Sequence, residues 1–346
     1  HRFPSSGRGL FTPGDERRGM SHESRGDIAP SVEETAADIA SMEIRGAATI
    51  ADAAAAALAE QATFSTAETP EAFRVELEAA ARELYETRPT AVSLPNALRY
   101  VLRGMGGETV DQRRRSIIRR AETFRRDLEQ AQETLGRVGA NRLRDGDTVM
   151  THCHSTDALA CVEAAVSDGK HIEAIVKETR PRQQGHITAS DLRELGVPVT
   201  LVVDNAARRY LDDTDHVLVG ADSIAADGSV INKIGTSGLA VNARERGVPM
   251  MVAAQSIKLH PDTMTGHTVE IEMRDEREVL EDGSYSEITG DDSRGDDGFI
   301  VENPAFDVTP PRHVDAIVTE HGQYPPESIV MLMRDLFGET TSDPWE

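Results

Sequence analysis

The residues predict an α/β protein in which an N-terminal all-helical domain is followed by a Rossmann-like, doubly wound parallel sheet. Two observations carry that expectation. Before Arg144 the apolar residues recur at helical spacing, whereas after it short apolar runs alternate with amphipathic stretches, the pattern of buried strands joined by crossover helices. The chain is also large enough, since 346 residues with 38% hydrophobic content can bury one large core or two medium ones.

The first segment, 1–30, is rich in Gly, Pro, Ser and Arg without apolar periodicity, and is expected to be disordered, with Met20 a candidate start. A helical domain is expected over 31–140. It opens with Ser31 and Glu34, spaced as a capping box ahead of Ala36, Ile39 and Ala40. Further helices are expected at 47–62, 70–86, 94–102 and 109–135. The Rossmann-like domain is expected over 141–346. Its strands are placed at 148–151, 172–177, 199–203, 217–219 and 250–253, with helices at 156–166, 189–195, 206–210 and 237–246. An apolar run at 314–318 adds an edge strand. The charge-dense stretch 275–298 reads as a solvated acidic insertion.

Composition narrows the partners. Asp and Glu number 60 against 37 Lys and Arg, a net charge of −23, which repels nucleic acid backbones and anionic membranes. Only four of the basic residues are lysines: Lys170, Lys177, Lys233 and Lys258. Arginine with an acidic surplus is the surface of a protein kept soluble in a high-salt cytoplasm. Cys153 and Cys161 are too few for a disulfide framework and no stretch reads as a signal peptide, so a cytoplasmic address is expected. The run from Ala47 to Leu58 is broken by Asp52 and is too short to span a membrane.

In an open parallel sheet, ligands bind beyond the carboxyl ends of the strands. The residues there are Cys153, His154 and Ser155 after the first run, Glu178 and Arg180 after the second, and Asp204 and Asn205 after the third. Asp222 follows the fourth, and Gln255 and Lys258 the fifth. A lone cysteine at a strand end is most often a small buried apolar residue. Asp222 is as suited to capping a turn as to chemistry, but enclosed by Val219 and Ile224 its pKa would rise and make it a proton donor. Lys233 and Lys258 are compact charges suited to phosphate, and Asn232 adds an amide for a sugar hydroxyl. The helices after Ser155 and Thr236 present N-terminal N–H groups to which phosphate oxygens can bind. In the helical domain Arg45 and Gly46 interrupt a helical pattern, and Arg88 ends a helix before Pro89, where it reaches a second phosphate. His152, Cys153 and His154 point to alternating faces and do not chelate, so no metal is expected. GTSG at 235–238 lacks the GxGxxG spacing, so no dinucleotide cofactor is expected.

The segments MEIRGAATIADAA, RPTAVSLPNALRYV, THCHS, KETRPRQQG, VGADSIAADGSVINKIGTSGLA, VAAQSIKLHP and NPAFDVTPP resemble, in order, the archaeal ribose 1,5-bisphosphate isomerases. These are kin to the methylthioribose 1-phosphate isomerases and to the regulatory subunits of the initiation-factor exchange complex. The resemblance implies isomerisation of ribose 1,5-bisphosphate to ribulose 1,5-bisphosphate, with Cys153 as proton acceptor and Asp222 as proton donor. Carried over residue by residue, Arg45, Gly46, Ala47, Ala48, Arg88, Ser155, Thr156, Asp157, Asn232, Lys233 and Lys258 hold the sugar bisphosphate. His154 departs from the family, which has Asn there. The resemblance further implies a homo-oligomer, a dimer-based hexamer, with AMP as allosteric activator and no other cofactor. The neighbouring readings are a methylthioribose 1-phosphate isomerase and a non-catalytic regulatory subunit. Because the C1 phosphate locks the sugar as a ring, Asp222 is expected to protonate the ring oxygen while Cys153, as a thiolate aided by helix N–H groups, takes the C2 proton. Hydride transfer from C2 to C1 is the other route.

Overall fold

The computed structural model of the chain describes residues 28–44, 46–88, 91–280, 288, 299–338 and 344–345. Most of the segment expected to be disordered, most of the acidic insertion, and Arg45 lie outside the described residues.

Among the described residues five helices come first: α1 (Pro30–Ala40), α2 (Ala47–Phe64), α3 (Pro70–Thr87), α4 (Ser93–Leu102) and α5 (Val110–Ala140). The capping box expected at Ser31 and Glu34 does not form. Pro30 takes the first helical position, where its missing N–H costs nothing, so the helix starts earlier and Ala29 becomes the N-cap. A true capping box instead opens α5, from Thr109 and Gln112. The helices bury Leu58, Phe73, Leu77, Leu84 and Leu98 completely in one apolar core. Each such side chain contributes about 1.5–3 kcal/mol.

The second half builds a seven-stranded sheet from β1 (Thr148–His152), β2 (Glu173–Lys177), β3 (Val199–Val202), β4 (His216–Val219), β7 (Met250–Ala253), β10 (Ala316–Thr319) and β11 (Gly322–Tyr324), in the order β11-β10-β7-β4-β1-β2-β3. All pairings are parallel except β10 with β11. The run expected as an edge strand is therefore interior, because β11 returns antiparallel beside it. Alternate residues feed two cores. Val149, Val176, Leu218 and Met251 face α5, α6 (Thr156–Ser167) and α7 (Gly185–Glu194), while Met150, Val217, Val219 and Val252 face α8 (Ala207–Tyr210), α9 (Thr236–Arg246) and α10 (Ile329–Phe337). This period-two division follows from strands covered on both sides.

A second sheet joins short strands in the order β8-β5-β6-β9, with β5 (Ser223–Ala225), β6 (Val230–Lys233), β8 (Leu259–His260) and β9 (Phe306–Thr309). Its strands are two to four residues long, too short to declare themselves by alternation. At the start of the acidic insertion, Glu278 takes a two-point ion pair from Arg274 at 2.8 and 2.6 Å, and that pairing holds its carboxyl down to about 2.

Candidate active site

The chain runs from β1 outward through β2 and β3, then returns to the other side of β1 as β4. The carboxyl ends of β1 and β4 thus flank the point where strand order reverses, the usual crevice for a ligand in such a sheet. Cys153 leaves β1 and Asp222 follows β4, so the two side chains stand at this crevice. Gly220 makes the approach close, since a Cβ there would lie 2.1 Å from Ser155 Oγ.

Cys153 is 7% exposed and its backbone is left-handed, with φ 70°. Burial pushes its thiol up to about 11. The His154 N–H and the Lys233 ammonium oppose this, and the Asp222 and Asp204 charges add to it. The helix N–H groups expected to help form the thiolate do not outweigh burial in the ligand-free protein, and the Ala158 N–H is already donated to Ser155 Oγ at 3.3 Å. Asp222 is open to solvent yet densely walled by protein, as befits a group lining a cleft. Removal from bulk water raises its carboxyl, while Lys258 and Lys233 act to lower it and Glu272 to raise it.

The second sheet gathers the rest. The β5–β6 hairpin pairs Ser223 with Ile231, and the Asp222 N–H donates to the Ile231 carbonyl at 2.9 Å, so Asp222 lies beside Asn232 and Lys233. Lys233 Nζ sits 4.7 Å from the Phe306 ring centroid, and the buried Asn232 amide donates to Thr236 Oγ1 at 3.0 Å. Lys258 immediately precedes β8, next to β5, and donates to Asp157 Oδ2 at 2.7 Å. Asp157 is fully buried and also accepts from Gln255 Nε2 at 2.8 Å and Gln255 N at 3.2 Å. Its carboxylate is therefore engaged by the protein, and it orients Lys258. Ser155 caps α6 and Thr156 is exposed at that helix's first turn.

From the helical half, α2 and α4 both pack on the turn at Ser256–Lys258, and Ile257 shares an apolar core with Ala47 and Ala48. Gly46, with φ 87°, begins α2 there. Arg88 is half-buried at the end of α3, and no hydrogen bond or ion pair among the described residues ties it to the other candidates. The phosphate-binding role expected for the start of α9 is corrected, because the Asp307 carboxylate already accepts from the Gly235 N–H at 2.7 Å and the Ser237 N–H at 3.0 Å.

Several residues bearing on the site escaped the sequence reading. Asn96 donates to the carbonyls of Ile257 at 2.9 Å and Leu259 at 2.6 Å, gripping the chain on both sides of Lys258. Behind Cys153, Lys177 and His152 are buried. Burial depresses the Lys177 ammonium and takes the His152 imidazole down to about 4. An isolated Asn inside a helix and a Lys ending a strand carry no such signal in the residues alone. A recess beside Lys233 is lined by Arg180, Arg182, Arg274 and Glu278, a cationic surround despite the acidic chain. Among the described residues no three His, Cys, Asp or Glu side chains converge as metal ligands.

Residues 43–326 match the model of the Initiation factor 2 subunit family. Over 320 residues, 92% of this chain and 98% of the relative, the sequence is 76% identical to ribose 1,5-bisphosphate isomerase of Haloterrigena turkmenica. It is 48% identical over 326 residues to the protein of that name in Thermococcus kodakarensis, covering 92% of this chain and 99% of that one. The structure resembles the crystal structure of 5-methylthioribose 1-phosphate isomerase from Pyrococcus horikoshii, with TM-score 0.65, 33% identity and coverage of 89% of this chain and 88% of that one. The chain belongs to the Initiation factor 2 subunit family, and within it to the group of archaeal proteins named ribose 1,5-bisphosphate isomerase.

Proposed function

We propose that the chain isomerises ribose 1,5-bisphosphate to ribulose 1,5-bisphosphate, with Cys153 as proton acceptor and Asp222 as proton donor. The observation carrying this is that Cys153 and Asp222 end the two strands at the reversal of strand order, with the Lys233 charge acting on both. Relatives bearing the isomerase name at 76% and 48% identity support the choice of substrate.

In the scheme, Asp222 gives its proton to the ring oxygen as the bond from that oxygen to C1 breaks. The Cys153 sulfur takes the proton from C2, leaving an enol between C1 and C2. Returning that proton to C1, while Asp222 accepts the proton of the C2 hydroxyl, completes the ketone and restores both groups. The working state has the sulfur ionised and Asp222 protonated. In the ligand-free protein burial lifts the thiol to about 11, so its thiolate is scarce, while burial also raises the Asp222 carboxyl toward the protonated form. The scarce thiolate is correspondingly a strong base.

Lys258 and Lys233 hold phosphate and Asn232 a sugar hydroxyl. Ser155, Thr156 and the start of α2 at Gly46, Ala47 and Ala48 close on the same ligand, together with Arg45, and Arg88 reaches the second phosphate. Activation by AMP and a dimer-based hexamer in the cytoplasm belong to the same reading. Incubating the purified protein in multimolar KCl with ribose 1,5-bisphosphate, with and without AMP, should yield ribulose 1,5-bisphosphate. Turnover of methylthioribose 1-phosphate instead, or tight binding without turnover, would defeat the proposal. Cys153→Ala and Asp222→Asn are each expected to lower kcat by about 10³-fold or more with the fold retained, and an active variant would remove that residue from its role.

A further inference from the structure

The segment KETRPRQQGHIT, Lys177 to Thr188, borders the site yet supplies no group to the scheme above. Its place in the fold gives it a task. Cys153 holds φ at 70°, a conformation strained for any residue with a Cβ, which persists only where the surroundings enforce it. Both peptide groups around Cys153 are tied to this segment. The Cys153 N–H donates to Thr179 Oγ1 at 2.8 Å, and Thr188 Oγ1 donates to the Cys153 carbonyl at 2.8 Å. The two threonines are 1% and 2% exposed, so water does not compete for either bond.

Each hydroxyl is itself fixed. Thr179, also left-handed at φ 65°, donates its N–H to Asp204 Oδ1 at 3.0 Å and its hydroxyl to the Lys177 carbonyl at 3.1 Å. Thr188 lies one turn into α7, whose first residue is Gly185. A Cβ on Gly185 would stand 1.8 Å from the Lys177 carbonyl oxygen. Glycine there lets the helix start hard against the end of β2, which carries Thr188 over Cys153.

We propose that Thr179 and Thr188 are positioning residues that lock the two peptide groups of Cys153 and so aim its sulfur across the crevice at the atoms beside Asp222. The inference rests on the reading of Cys153 as proton acceptor. Without the locks Cys153 relaxes toward the extended region and its Cβ swings away from the ligand. Displacements of this kind cost large factors in rate while leaving phosphate contacts in place.

The test compares Thr179→Val, Thr188→Val and Thr188→Ala, which lose the hydroxyl, with Thr179→Ser and Thr188→Ser, which keep it. Alanine at 188 suits a helix, and it decides the matter if valine at either position prevents folding as judged by circular dichroism. Two readouts are taken: steady-state isomerisation of ribose 1,5-bisphosphate, and the rate of iodoacetamide alkylation of ligand-free Cys153 against pH, located by peptide mass. The hydroxyl-free variants are expected to lose kcat by about tenfold or more with KM within about twofold, and to shift the alkylation curve. The serine variants should stay near wild type in both. Folded hydroxyl-free variants with wild-type kcat and an unmoved alkylation curve overturn the inference, as does a loss confined to KM. If Cys153→Ala retains turnover, the proton-acceptor reading fails instead, and the alkylation curve still reports on the locks.

Discussion

Three of the four lysines, Lys177, Lys233 and Lys258, surround the crevice, while Lys170 alone lies apart, donating to the Ala140 carbonyl at 2.7 Å. A chain that uses arginine nearly everywhere keeps lysine where a compact charge must fit a confined space. A guanidinium is broader, and it would lose the single 2.7 Å contact that Lys258 makes with Asp157. Lys258→Ala is expected to raise KM for the sugar bisphosphate by about 10-fold or more with a smaller change in kcat. A fall in kcat alone would contradict phosphate binding. Lys258→Arg should not restore the wild-type KM. Cys153 carries the second prediction at this scale. A thiol raised to about 11 is protonated throughout the neutral range. Its thiolate fraction, and with it the alkylation rate of the ligand-free protein, should climb about tenfold per pH unit from 7 to 10. A curve that levels off near pH 8 would mean an ordinary or activated cysteine.

At the level of helices and strands, the six parallel strands of the larger sheet were legible because each is an apolar run bounded by a turn, whereas the short antiparallel β11 was not. The carboxyl rim of those six exposed Cys153 and Asp222 to inspection for the same reason. The second sheet was not legible, since strands as short as Leu259–His260 have no room for a period. Yet that sheet is what sets Asp222, Asn232, Lys233 and Lys258 side by side. The resemblance to known isomerases named those residues, but their neighbourhood came from tertiary pairing. The extent of α5 was also underread, since Gly136 and Gly139 look like helix breakers. In the fold they are contact points: a Cβ on Gly139 would lie 2.2 Å from Cys161 Sγ, and one on Gly136 2.6 Å from the Ala160 carbonyl oxygen. Gly139→Ala is therefore expected to destabilise the protein by about 1–3 kcal/mol in denaturant melts despite alanine's better helix propensity. Shortening the sulfur side chain with Cys161→Ala in the same protein should recover part of that loss. A neutral or stabilising Gly139→Ala would show that α5 and α6 do not pack this closely.

The molecule as a whole carries a net charge of −23, and at low ionic strength those charges repel across its full width. The Debye length falls from about 10 Å at 0.1 M salt to about 3 Å at 1 M, so added KCl removes long-range repulsion while leaving close pairs such as Arg274 with Glu278. The melting temperature is expected to rise steadily from 0.1 to 3 M KCl, and a flat or falling trend would deny the acidic surface that role. Between the helices and the sheet, the single Asn96 amide bridges carbonyls 161 and 163 positions further along the chain. Lys258 lies between those carbonyls, with its ammonium moored to Asp157 on the sheet side. The two layers consequently cannot part without tearing this lysine from one anchorage or the other. A sugar phosphate seated on Lys258 would brace the joint from within, and the slowing of amide exchange that accompanies its binding should spread into α4 as well as the strands.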